Sequence, residues 1–149
     1  MTQQLQRLLE FEKEKEQNTL LVFQQAQQHV NQQRQKLQSL EQYRVEYLKG
    51  IGQSGKDGVK ALHYQQHLSF VGKLDKACEQ QMQVIAQANL AADQRKSLWL
   101  QQQQRVKAVE MLLDKKAQAA QLKANKQEQA LFDEFATQKF FRSQKGLFN

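Results

Sequence analysis

The sequence predicts an all-α protein, a long antiparallel two-helix coiled coil: a helical hairpin whose second helix outruns the first. Three observations predict it. Proline is absent and glutamine makes up roughly a fifth of the 149 residues, so helix formers dominate and breakers are few. Apolar residues recur at heptad spacing on both sides of one glycine cluster. That cluster, Gly50, Gly52, Gly55 and Gly58, holds four of the six glycines. The hydrophobic share of 40% is spread thinly, which suits a narrow seam better than a wide round core. A single elongated domain over residues 1–149 is therefore expected.

The first helix is expected over about residues 2–49, where no Gly or Pro occurs before Gly50. Leu5, Leu9, Glu12, Glu16, Thr19, Phe23, Ala26, Val30, Gln33, Leu37, Leu40, Arg44 and Tyr47 advance by alternating steps of four and three. That is a heptad seam, interrupted by its polar members. Each glycine costs about 1 kcal/mol relative to Ala inside a helix, so a turn is expected over residues 50–58. A connection this short returns the chain antiparallel, because a parallel pair would need a link as long as the helix.

The second helix is expected over about residues 59–140. Val71, Cys78, Ile85, Ala92, Trp99, Val106, Leu113 and Ala120 recur every seven residues without a polar member, beside a mixed companion row of Leu74, Gln81, Ala88, Arg95, Gln102 and Val109. Folding back around the glycines sets Tyr47 near Leu62 and Leu5 near Gln103. Val106, Val109, Leu113 and Ala120 are then left without a partner, and the overhang from about Arg105 is expected to dock on another protein, self-associate or fray. In FDEFATQKFFRSQKGLFN, Phe132, Phe135, Phe140, Phe141 and Phe148 cannot all face one seam, so the tail 141–149 reads as a docking or disordered end rather than core.

Little in the chain suggests catalysis. GIGQSGKD, Gly50 to Asp57, fits both GxGxxG and most of a Walker loop. A Walker loop needs a strand before it, a helix after it and a Ser or Thr for magnesium; here a helix precedes it and Asp57 replaces the hydroxyl, so it reads as a turn. His63 and His67 in HYQQH have zinc-compatible spacing, but Tyr64 stands where a metalloprotease base would be and no third ligand is evident. Asp133 and Glu134 are adjacent and point apart on a helix, and no Ser or Thr has a recognisable base. Cys78 is the only cysteine, which rules out an internal disulfide. No enzyme, cofactor, metal site or small-molecule substrate is expected. A run of about 18 apolar residues is missing and the N-terminus is too polar for a signal core, so a cytoplasmic location is expected. The net charge of +7 favours acidic partners, yet Lys and Arg are interspersed with acids and form no continuous stripe, so no nucleic-acid partner is expected.

Two stripes flank the predicted turn. Leu40, Tyr43 and Tyr47 precede it, and Phe70, Leu74, Ala77 and Gln81 follow it, each set on one helical face and facing the other across the tip. They either widen the core to anchor the hairpin or form a partner-binding patch.

LEQYRVEYLKG, a Gly-containing turn, LHYQQHLSFVGKLDKACEQQ, the single Trp in RKSLWL and a closing QEQALFDEFA occur in an order and spacing that resemble the FliJ family of flagellar export proteins, over nearly the whole chain. The resemblance implies a soluble component of the flagellar type III secretion apparatus, similar in shape to the rotary stalk subunit of ATP synthases. Its implied partners are the export ATPase ring, the export gate membrane protein and the substrate chaperones. Its implied place is the cytoplasmic face of the inner membrane at the flagellar base, in flagellum biogenesis and motility. By the same analogy the open end, with Leu5, Leu9, Trp99, Val106 and Leu113, lies toward the ATPase ring, and the tip stripe faces the gate. The turn is richer in glycine than the resemblance requires. A general holdase chaperone and a basic nucleic-acid-binding coil are the alternatives.

Overall fold

The computed structural model describes residues 2–56 and 61–147. They form two helices, α1 (Thr2–Lys56) and α2 (Ala61–Leu147), packed antiparallel with α2 the longer. The heptad arithmetic locates the interface. All the seam positions predicted on α1, from Leu5 to Tyr47, are buried or half-buried, and the seam runs one step further to Ile51. On α2 the row from Val71 to Leu113 is likewise covered, with Leu74, Ala88, Gln102 and Val109 from the companion row. Ala120 and Arg95 are exposed.

The helix bounds differ from the predicted ones. α1 continues through Gly50 and Gly52 to Lys56, rather than ending near residue 49. Neither glycine is required by crowding, since a Cβ at either would meet nothing within 4 Å. Glycine lowers helix propensity by about 1 kcal/mol, and seam packing that continues at Tyr47 and Ile51 offsets so small a local cost. Gly58 and Val59 lie outside the described residues. At the other end α2 continues past residue 140 to Leu147, so residues 141–147 are helical. Phe148 and Asn149 lie outside the described residues.

Because α1 runs on, the chain reverses later and the register shifts. Tyr47 meets His67 and Phe70, not Leu62, which is 65% exposed. A later reversal displaces every cross-helix pair in the same direction.

Long-range contacts divide the chain into two units, Lys15–Gln103 and the N-terminal stretch to Glu14 together with the chain from Gln104. In the first, Val30 has no accessible surface and packs with Ala88, Ala92 and the half-buried Ala26. Alanines at a seam let two helix backbones approach closely, which is how a chain with few large apolar residues still encloses a valine. Gln33 is buried there too, and its hydrogen-bonding capacity is met across the seam: Gln81 Nε2 donates to the Gln33 carbonyl oxygen at 2.9 Å and to Oε1 at 2.8 Å.

In the second unit Val106 and Val109 are 5% and 7% exposed, beside the half-buried Leu5, Leu9 and Leu113. A single helix cannot cover its own side chains to this extent, so the N-terminal stretch of α1 is what buries them. This corrects the expectation that Val106 and Val109 lack a partner, and the register shift is its cause. The unpartnered segment begins later: every residue from Asp114 to Gly146 is exposed.

Candidate functional site

The residues around the predicted tip come together as an aromatic cluster within Lys15–Gln103. Tyr47 and Phe70 have ring centroids 4.7 Å apart, Tyr43 meets Phe70 edge-on at 6.3 Å, and Tyr43 and Tyr47 stand 6.4 Å apart. The Tyr47 hydroxyl hydrogen-bonds to His67 Nδ1. Leu40, Tyr47, Phe70, Ala77 and Gln81 are half-buried and Leu74 is buried, so most of the stripe lies in the seam and anchors the hairpin. Tyr43 alone is exposed, at 49%. Beside it runs a shallow groove lined by Leu40, Tyr43 and Gln81 together with Gln32, Lys36 and Ser39 of α1. This groove is where stripe residues reach solvent.

Three residues beside this cluster were not assigned to it in the sequence reading. His67 and Asp75 of α2 meet Tyr47 and Arg44 of α1, the half-buried Arg44 and Asp75 joined Nε to Oδ1 as an ion pair, and only the later reversal brings these residues together. Continuing the α1 heptad count through the glycines to Ile51 would have signalled all three.

The open-end residues divide between the two units. Leu5, Leu9, Val106 and Leu113 belong to the unit that contains the exposed segment 114–146. Trp99 belongs to Lys15–Gln103, where it stacks on Phe23 at 5.8 Å and an interplanar angle of 16°. Its indole Nε1 is buried without an acceptor.

The stretch resembling a nucleotide loop is helical from Gly50 to Lys56. A helix commits its backbone N–H groups to its own ladder, whereas a phosphate-binding loop must present them free. Asp57 lies outside the described residues. His63 is exposed while His67 bonds to Tyr47, and among the described residues no group of three potential ligands surrounds a common point. The described helices contain no segment long and apolar enough to cross a membrane.

Comparison with known proteins identifies the family. The family described as flagellar FliJ protein matches residues 1–145. The chain belongs to the FliJ family. A FliJ protein of Salmonella typhi, named flagellar FliJ protein, is 28% identical over 102 residues, which cover 68% of this chain and 69% of that relative. No solved structure matches. FliJ membership makes the chain a flagellar protein of the export apparatus.

Proposed function

We propose that this FliJ-family hairpin is a non-enzymatic stalk that binds the flagellar export ATPase ring, promotes its assembly and hydrolysis, and couples it to the export gate and to substrate chaperones. The observation that carries the reading is the free length of α2: from Asp114 to Gly146 a helix is exposed on every side, whereas most helical stability in proteins comes from packing against a partner. A ring pore is a surface that could cover it. On this reading the open end meets the ring: Leu5, Leu9, Trp99, Val106 and Leu113 keep its seam covered, and the exposed length from Asp114 makes the contact. The tip cluster of Leu40, Tyr43, Tyr47, Phe70, Leu74, Ala77 and Gln81 meets the gate, through Tyr43 and the groove beside it. The protein works at the cytoplasmic face of the membrane, at the flagellar base.

A stalk of this kind hydrolyses nothing. It contacts the conformations of the ring's subunits unequally and so shifts their populations. Co-elution with the cognate export ATPase in gel filtration tests the docking. Leu113→Asp, at a half-buried position where the covered seam ends, is expected to weaken co-elution while leaving helicity unchanged. Unaltered co-elution would remove the open end from the ring contact. The exposed phenylalanines Phe132, Phe135, Phe140 and Phe141 also favour a second reading, a holdase that grips unfolded clients. Failure to suppress aggregation of an unfolded model client would dispose of it.

A further inference from the structure

We propose that the last described turns of α2, centred on Lys139-Phe140-Phe141-Arg142-Ser143-Gln144-Lys145, bind the surface of an anionic lipid bilayer directly. The segment is helical, and each of these residues is exposed. Charge is the first argument. No acid follows Glu134 in the sequence, so the three cations stand in a locally unopposed positive field, and among the described residues none of the three forms an ion pair. Acid-free runs of cations also occur from Arg95 to Lys107 and from Lys115 to Lys126, but neither carries a phenylalanine, so the combination of cations and phenylalanine rings is what sets this segment apart.

The distribution of the rings is the second argument. Phe140 and Phe141 are 60% and 59% exposed and meet each other edge-on at 6.3 Å. Adjacent residues point about 100° apart on a helix, so the two touching rings make one apolar patch broader than a single stripe. A groove on a folded partner takes one stripe at spacings of three and four. A headgroup layer is fluid, and accepts a broad apolar patch of this kind while lysine and arginine stems snorkel outward to the phosphates. Cations and phenylalanines in one short helical segment match an anionic headgroup layer over an apolar interior.

This goes beyond the stalk reading, in which the ring covers the free length of α2: lipid and ring compete for its last turns, and the lipid contact is tested without the ATPase. The test is co-sedimentation of the full-length protein with vesicles of phosphatidylcholine alone or mixed with phosphatidylglycerol. Binding is expected to the mixed vesicles only, and to weaken as salt is raised. Lys139→Gln/Arg142→Gln/Lys145→Gln is expected to lose about a hundredfold in affinity. Phe140→Ser/Phe141→Ser is also expected to bind more weakly. Lys115→Gln/Lys123→Gln/Lys126→Gln removes the same charge elsewhere on exposed α2 and is expected to stay within a few-fold of the parent. Circular dichroism should show equal helicity for all. Equal sedimentation with neutral vesicles, none with anionic ones, or equal loss in both cation variants would overturn the proposal. Such a failure would leave the stalk reading standing, since that is read by ATPase co-elution without lipid.

Discussion

Val30 has no contact with water and is surrounded by alanines, so its environment offers a charge neither a partner nor room to escape. Val30→Asp is expected to destabilise the hairpin by on the order of 3 kcal/mol, read from chemical denaturation; a near-parental midpoint would contradict the packing described. Gln33 and Gln81 behave differently because they satisfy each other. Gln33→Leu alone should cost about 1 kcal/mol by removing the side-chain acceptor of the Gln81 amide, which keeps only the carbonyl of residue 33, whereas Gln33→Leu with Gln81→Leu should recover that loss. A double variant as weak as the sum of its singles would show that the pair is not coupled. Trp99 holds its place by stacking on Phe23, not by its indole N–H, which has no acceptor. Trp99→Phe should therefore lie within about 0.5 kcal/mol of the parent while Trp99→Ala costs about 2 kcal/mol or more.

At the scale of the helices, the glycines give the sharpest expectation. Gly50 and Gly52 are helical with open space where a Cβ would stand, so Gly50→Ala and Gly52→Ala should each stabilise the protein by about 0.4–1 kcal/mol, read from the melting curve. Destabilisation would mean that these positions turn rather than extend. The same residues explain what the sequence could reveal. The seam was legible because burial between two helices demands a repeat, and Leu5 through Tyr47 supply it even with Glu12, Glu16 and Gln33 among them. The end of α1 was not, because a glycine's propensity is a local cost that continued packing at Ile51 overrides. That one misplacement carried into the register: it set Tyr47 beside Leu62 and hid both the contact with His67 and the burial of Val106. Of the tip stripe, its members were legible but their burial was not, since faces that meet across a hairpin depend on where the chain reverses.

For the whole molecule, the stability of the covered seam and the freedom of the later part of α2 are complementary. A covered seam of modest apolar content keeps the hairpin together, while residues 114–146 remain available to a partner. On the stalk reading such a protein acts by contact, and its effect is read in the activity of the ATPase. The most direct measurement is the steady-state hydrolysis rate of the cognate export ATPase, titrated with this protein at moderate salt. A rate that rises and saturates, with the ATPase passing into ring-sized complexes, is the result expected of a stalk. An unchanged rate with no co-elution would contradict the account, and would take the ATPase out of the protein's function.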